Sequence, residues 1–123
     1  RKIINIQKTN AKFLDNKVIY DQIDLIVCDV SFISMKKVLN PCVSFLNKKN
    51  GIVLGLIKPQ FEALKREIKK GGVVKEHVVH QRICMEFEKW FIKNLKMKVV
   101  GITPSPIKGP KGNIEFFICA KYF

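Results

Sequence analysis

Residues 24–30 and 51–58, which read DLIVCDV and GIVLGLIK, decide the fold class of this chain. Each is a short and nearly continuous apolar run, which is typical of a strand buried on both faces of a parallel sheet. Similar short runs at residues 3–6, 98–102 and 115–120 predict three more strands. The chain is therefore expected to build a sheet from short, mostly buried strands.

Two stretches with helical spacing separate these strands. Residues 34–46 and 78–96 carry apolar side chains every three to four positions, and Pro41 is expected to kink the first of them. Residues 59–75 are basic and predict a mobile loop, whereas a long loop without a helix precedes the last strand. This order predicts a layered α/β fold with a largely parallel sheet and an antiparallel last strand.

Composition limits the class of protein. The 123 residues allow one compact domain, and 47% hydrophobic residues with only 7 Gly and 5 Pro exclude disordered and collagen-like chains. The 23 Lys and Arg against 10 Asp and Glu leave a formal charge of +13, which favours a polyanionic partner, either nucleic acid or an anionic membrane surface. No apolar run approaches the roughly 18 residues that a membrane span needs.

The four cysteines indicate a reducing compartment. They stand at positions 28, 42, 84 and 119 among apolar neighbours, with no CxxC pair. This spacing favours small buried thiols over a disulfide framework or a zinc site. The first residues also lack the apolar core of a signal peptide, so a cytoplasmic location is expected.

Three charged residues mark the ends of apolar strands. Asp29 and Lys58 follow two of the predicted strands, and Glu115 begins the last one. Ligands of open α/β sheets gather at the carboxyl ends of the strands. A lysine held between two carboxylates could orient or deprotonate a hydroxyl group. The alternative, that each charge merely solvates a strand end, stays open at this point.

Five ordered motifs then resemble one known family. The motifs are DVSFIS at 29–34, LIKPQFE at 56–62, GGVV at 71–74 followed by His80, SPI at 105–107 with Gly109, and GNIEF at 112–116. Together they resemble the haemolysin-A (TlyA-like) ribosomal RNA 2′-O-methyltransferases, within the FtsJ-like class. The resemblance covers nearly the whole chain.

The resemblance implies a Rossmann-like methyltransferase fold that uses S-adenosylmethionine. That family methylates a ribose 2′-hydroxyl with a Lys-Asp-Lys-Glu set, of which Asp29, Lys58 and Glu115 would be the last three members. Lys58 would lie nearest the attacking hydroxyl, and the two acids would orient it. The residues that would border the cofactor are Asn10, Asp29, Val30, Ser31 and Phe32. The partner implied is ribosomal RNA or a ribosomal subunit, with no membrane involved.

Two basic loops would flank the cleft. Their lysines, Lys69, Lys70, Lys108 and Lys111, would grip RNA phosphates, although ordinary surface charge explains them equally well. A non-catalytic RNA-binding or haemolysin-named protein is the alternative to an enzyme. A pore-forming role finds no lipid-facing amphipathic stretch to support it.

The family's first strands, first catalytic lysine and Gly-rich cofactor loop lie upstream of anything in this sequence. Residues 1–123 are therefore expected to form the C-terminal portion of a single methyltransferase domain, which alone would bind cofactor weakly or not at all and would be inactive. Loss of the neighbouring strand would leave an apolar sheet edge beside Asp29, separate residues 3–6 from their partner, and favour self-association.

Other candidates are weaker. His77 and His80 stand three apart, but no third metal ligand accompanies them, so a solvated helix start is expected. The pair Gly71-Gly72 lacks the spacing of a phosphate loop and predicts a flexible turn. Trp90 and Phe91 fall on an apolar helix face and are expected in the core.

Overall fold

The computed structural model describes residues 3–123. They form two helices and four strands, joined by loops that contain short 3-10 turns. In chain order the elements are β1 (Leu25–Cys28), α1 (Met35–Cys42), β2 (Ile52–Ile57), α2 (His77–Asn94), β3 (Lys98–Pro104) and β4 (Phe116–Lys121). The predicted α/β class is confirmed.

The four strands form one sheet in the order β1-β2-β4-β3. β1 and β2 are parallel, with Leu25 opposite Ile52, whereas β4 is antiparallel to both β2 and β3. Three strands therefore run in one direction and the last strand runs against them, as predicted. Because β4 is inserted between β2 and β3, its first residues lie at the same sheet edge as the last residues of β2.

The first helix is shorter than predicted. Ser34 caps α1 by accepting a hydrogen bond from the Lys36 N–H at 3.3 Å. The helix ends at Cys42, one residue after Pro41, and a 3-10 turn over Val43–Phe45 follows. Pro41 has no N–H to donate, so the chain leaves the α-helix here instead of continuing through a kink.

Both helices pack on one face of the sheet. The side chains that form this core include Leu39, Val53, Ile57, Phe87, Phe91, Ile118 and Ala120, all buried. Gly55 lies directly under Met35, and a Cβ at this glycine would collide with the methionine sulfur. The glycine therefore lets α1 pack closely on β2.

The opposite face of the sheet is open, and this corrects the prediction for β1. Leu25 and Val27 are 53% and 66% exposed, so β1 is buried on one face instead of two. Within residues 3–123 no helix covers this face, and β1 is also the edge strand. A continuous apolar run shows that a strand suits burial on both faces, but neighbouring elements decide whether both are covered.

The strand predicted at residues 3–6 is wrong. These residues form no regular element, and Ile3 and Ile4 are 79% and 69% exposed. A β-strand requires a hydrogen-bonded neighbour, and the sheet of the described residues consists of the four strands given above.

The loop predicted over residues 59–75 has more local structure than expected. It contains 3-10 turns at Pro59–Phe61 and Lys65–Glu67. An antiparallel bridge between Lys69 and Val73 then closes a tight turn, in which Gly71 and Gly72 have φ values of 87° and 79°. The predicted glycine turn is thus present. It requires glycine at both positions, because only glycine adopts these angles readily.

Neither helix within residues 3–123 combines the length and the apolar character that crossing a bilayer requires. All four thiols are free, with Cys28 buried and the other three partly buried. Burial raises the pKa of Cys28 and of Cys84 to about 11, so both are neutral thiols near pH 7.

Candidate active site

Asp29 and Lys58 form an ion pair at the carboxyl end of the parallel strands. Each follows the last residue of its strand, and β1 and β2 are neighbours, so the two side chains meet. The Lys58 Nζ lies 2.6 Å from Asp29 Oδ1 and donates a hydrogen bond to Ser31 Oγ at 3.1 Å. The lysine side chain is only 13% exposed, whereas that of Asp29 is 61% exposed. A nearly buried ammonium is thus held by a carboxylate that solvent and ligands can reach.

Glu115 lies at the same edge of the sheet. Ile57 pairs with Phe116 across β2 and β4, so Lys58 and Glu115 occupy the next opposing positions. The Glu115 carboxylate is buried and accepts a hydrogen bond from Gln60 Nε2 at 2.8 Å. Among residues 3–123 it forms no ion pair. The structure therefore brings Asp29 and Lys58 into contact and places Glu115 beside them, bonded to Gln60.

A glycine packs directly on the Glu115 carboxylate. A Cβ at Gly109 would collide with Oε2 of Glu115, so this position tolerates no side chain without displacing the acid. The backbone also holds the site, because the Ser105 N–H donates to the Glu115 carbonyl at 2.7 Å. The acid is therefore fixed from its side chain and from its main chain.

Asn113 connects the two basic loops. Its Oδ1 accepts from the Val74 N–H at 3.0 Å, and its Nδ2 donates to the carbonyls of Gly72 and Pro110 at 3.0 and 3.1 Å. The residue is 3% exposed, and three of the hydrogen bonds that its buried amide can form are satisfied by backbone groups. One side chain therefore ties residues 71–74 to the loop that precedes Glu115.

His80 is buried, and the prediction of a solvated helix start is wrong for it. It is 2% exposed, and its Nε2 lies 2.9 Å from the Val74 carbonyl. A carbonyl only accepts, so Nε2 carries the proton. Val74 is thereby held through its N–H by Asn113 and through its carbonyl by His80. His77, by contrast, is exposed.

The lysines of the two basic loops lie on loops that touch. Lys111 packs against Gly71, with its Cδ 3.6 Å from the position of a Cβ there. Lys69 forms a 3.6 Å ion pair with Glu76, and Lys70 and Lys108 are exposed. The structure thus joins the two loops that carry the four predicted RNA-contacting lysines, through the Asn113 hydrogen bonds and the approach of Lys111 to Gly71.

The segment that follows β1 carries four of the five predicted cofactor residues. Val30 packs partly on the core, whereas Phe32 is 90% exposed and has a φ of 65°. A bulky residue in the left-handed region is uncommon and costs energy, so the surroundings must hold it there. Its ring centroid lies 5.1 Å from that of Phe61.

Asn10, the fifth of these residues, has a local structural role. Its Oδ1 accepts from the Lys12 N–H at 3.1 Å and caps a 3-10 turn over Ala11–Phe13. That turn lies against α1, where Cys42 Sγ is 3.9 Å from the Ala11 carbonyl. The hydrogen bonds of the described residues connect Asn10 to its own turn and not to the segment after β1.

Glu62 connects the loop after Lys58 to the start of α1. Burial raises the pKa of its carboxyl group, while the neighbouring Ser34 hydroxyl, the Lys36 charge and the Met35 N–H act in the opposite direction. This acid therefore lies near the residues that begin α1.

Sequence reasoning missed the supporting roles of Gln60, Gly109, Asn113 and His80. All four lie within the motifs quoted for the family resemblance, but spacing alone gave no reason to connect them. Their partners come from distant parts of the chain, as Gln60 and Glu115 show, and only folding brings them together.

Comparison with known proteins identifies the family. The sequence pattern of FtsJ-like methyltransferases matches residues 1–122. The chain therefore belongs to the FtsJ-like methyltransferase family.

Individual relatives agree with this assignment. The chain is 35% identical over 117 residues to the 16S/23S rRNA (cytidine-2′-O)-methyltransferase TlyA of Mycobacterium tuberculosis, covering 95% of this chain and 43% of that protein. It is 38% identical over 116 residues to Hemolysin A of Brachyspira hyodysenteriae, covering 94% and 48%. A solved structure described as a hemolysin from Streptococcus thermophilus superposes with a TM-score of 0.84 at 29% identity, covering 94% and 41%. The chain thus spans about half the length of the curated relatives it matches.

Proposed function

We propose that the protein carrying this chain, a member of the FtsJ-like family, transfers a methyl group from S-adenosylmethionine to a ribose 2′-hydroxyl of ribosomal RNA. The observation that carries the proposal is the 2.6 Å pair of Lys58 and Asp29, with Glu115 in the next opposing position across β2 and β4. The relative from M. tuberculosis is named for 2′-O-methylation of rRNA. In this proposal residues 1–123 are the C-terminal portion of one methyltransferase domain.

The residues after β1 fit the methionine end of the proposed cofactor. When bound, S-adenosylmethionine supplies an electrophilic methyl group on a positively charged sulfur. The Asp29 carboxylate is exposed enough to attract a positively charged ligand, and the Ser31 hydroxyl lies beside it. Val30 and Phe32 would border the same site, whereas Asn10 is occupied in capping its own turn.

Lys58 is proposed to orient the attacking hydroxyl. Its ammonium is fixed by Asp29 and Ser31, so it can hold an oxygen atom at a defined position without further rearrangement. The hydroxyl oxygen would form the new bond to the methyl carbon as the methyl carbon–sulfur bond breaks, its electron pair staying on the sulfur, which becomes neutral. The hydroxyl proton would pass to the Asp29 carboxylate, the exposed base beside Lys58. Positioning of the two reactants supplies most of the rate acceleration in such a step.

The two basic loops are proposed to hold the RNA. Lys70 and Lys108 are exposed, and the hydrogen bonds of Asn113 to Gly72 and Val74 keep the two loops together. Phosphate contacts of this kind fix the position of a nucleic acid without reading its sequence. A cytoplasmic location, where ribosomes are accessible, follows from this proposal.

Substitution of Lys58 tests the catalytic assignment. In the full-length protein, Lys58→Ala should abolish methylation and leave RNA affinity within a few-fold, since one lysine contributes little to the total phosphate binding. Lys17→Ala removes one exposed lysine that belongs neither to the candidate site nor to the two basic loops, and it serves as the matched control. Normal turnover of Lys58→Ala would show that the assignment is wrong.

A non-catalytic RNA-binding role is the second candidate. It is favoured by the basic loops together with the finding that Glu115 bonds Gln60 and forms no ion pair within residues 3–123. In that case wild-type protein would bind RNA and transfer no methyl group. Self-association through the outer edge of β1 is a further prediction, and size-exclusion chromatography at several concentrations tests it.

A further inference from the structure

Acidic residues are missing from two long segments of the sequence. Residues 30–61 and residues 89–114 contain no Asp or Glu, although eleven lysines lie within them. The first segment includes α1, and the second begins in the last part of α2. An excess of lysine alone would not exclude acids from the same parts of the surface.

The fold places these two segments side by side. A groove of about 400 Å³ runs between α1 and the end of α2, lined by Lys12, Lys36, Lys37, Asn40, Trp90 and Asn94. A second groove of about 440 Å³ shares Asn40 and Asn94 and adds Lys48, Lys96 and Tyr122. We call the two together the basic groove. Among the described residues, no acidic side chain lines either part.

Two lysines of the basic groove, Lys12 and Lys37, are available to an anionic ligand. Among residues 3–123, none of the ion pairs involves Lys12, Lys36 or Lys37. Lys12 and Lys37 are exposed, and the Lys36 ammonium lies 4.8 Å above the Phe87 ring, which keeps its stem against the core. Within the described residues, Lys12 and Lys37 therefore carry unpaired charges, whereas the charge of Lys36 also acts on the Glu62 carboxylate and lowers its pKa.

The basic groove is distinct from the site at the sheet edge but begins beside it. Lys36 and Lys37 are in the first turn of α1, just after the segment that borders Asp29 and Lys58. The groove then follows the helices and includes none of the residues assigned to the active site or to the two basic loops. A linear polyanion held at the active site could therefore continue along it.

We propose that the basic groove is a second RNA-binding surface, which takes the sugar-phosphate backbone adjacent to the target nucleotide. This inference rests on the proposed function. Charge complementarity favours RNA, and Trp90, which packs only partly on the core, adds an aromatic surface of the kind on which bases stack. Trp90 is thus half-buried, whereas the sequence predicted that it lies in the core.

Salt-dependent binding tests the basic groove. Each phosphate contact contributes roughly 0.7 to 0.9 to the slope of log K against log salt. Lys12→Gln/Lys37→Gln should therefore lower the slope for a fluorescein-labelled RNA hairpin by about 1.4 to 1.8 and weaken binding on the order of tenfold near 0.1 M salt. Lys17→Gln/Lys49→Gln removes two exposed lysines outside the groove and should change the slope much less. The charge-preserving Lys12→Arg/Lys37→Arg should bind like wild type.

Methylation kinetics on the same full-length proteins separate this inference from the proposed function. The groove variant should raise KM for RNA with kcat unchanged, because it loses binding that is equal in ground and transition states. If the groove and control variants showed equal slopes of log K against log salt and methylation were intact, the groove proposal would be wrong and the enzyme proposal would be unaffected. Loss of binding to phosphatidylserine vesicles without loss of RNA affinity would overturn RNA as the occupant. If the groove variant changed the salt dependence of RNA binding but the wild-type protein transferred no methyl group, the groove proposal would be supported and the enzyme proposal would be wrong.

Discussion

Removal of the Asn113 side chain should loosen the two basic loops and weaken the fold. Asn113→Ala deletes three hydrogen bonds and leaves the N–H of Val74, a residue that is 2% exposed, without its acceptor. An orphaned buried donor costs about 1 to 3 kcal/mol. The carbonyls of Gly72 and Pro110 belong to exposed residues and can turn to water, so their loss adds less. The free energy of unfolding should therefore fall by about 2 to 4 kcal/mol in total.

Urea denaturation measures the total effect, and hydrogen exchange at the Val74 amide locates it. Exchange at this amide should accelerate strongly, whereas amides in β2 should follow only the global change. Asn50→Ala, at an exposed turn position, is the matched control and should stay within about 0.5 kcal/mol of wild type. An Asn113→Ala protein with unchanged stability and unchanged protection at Val74 would refute the assignment of Asn113 as the link between the loops.

Two further predictions concern the acid at the site and the ion pair of the loop. In Gly109→Ala the new Cβ would collide with the Glu115 carboxylate and displace it. This variant should lower kcat at least tenfold and keep RNA affinity within a few-fold of wild type. An unchanged kcat would contradict the role of Glu115. The Arg82 guanidinium holds the pKa of Glu67 at about 2, below its usual 4.5, so the pair stabilises the fold fully above pH 4.5 and loses this effect as the pH falls through 2. Thermal melts at several pH values should show a weaker acid dependence in Arg82→Gln, and identical profiles would contradict the coupling.

Much of the fold could be predicted from the sequence because local patterns determine the elements. The runs around Val27 and Leu54 have the length and residue types of strands, and α2 carries its apolar residues on one face. The pattern could not show that β1 has one open face, because coverage depends on which elements pack there. It also placed a strand at residues 3–6, where no neighbour supplies the hydrogen bonds.

Only some residues of the candidate site could likewise be predicted from the sequence. Asp29 and Lys58 could be predicted from the sequence, since charged residues at the ends of two parallel strands must meet if the strands are neighbours. The buried positions of His80 and Asn113 were not, because each bonds the backbone of Val74, and no local pattern connects these three residues.

The sequence by itself determined the α/β class, the reversed last strand, the charge of the surface and the identity of the groups at the strand ends, all of which depend on residue types and spacing along the chain. Tertiary structure alone decided that β4 lies between β2 and β3, which puts Glu115 opposite Lys58 although they are far apart in sequence. It also decided that two acid-free segments lie side by side along the helices. Such juxtapositions arise when the apolar faces of distant elements are buried against one another, and this packing cannot be read from any local stretch.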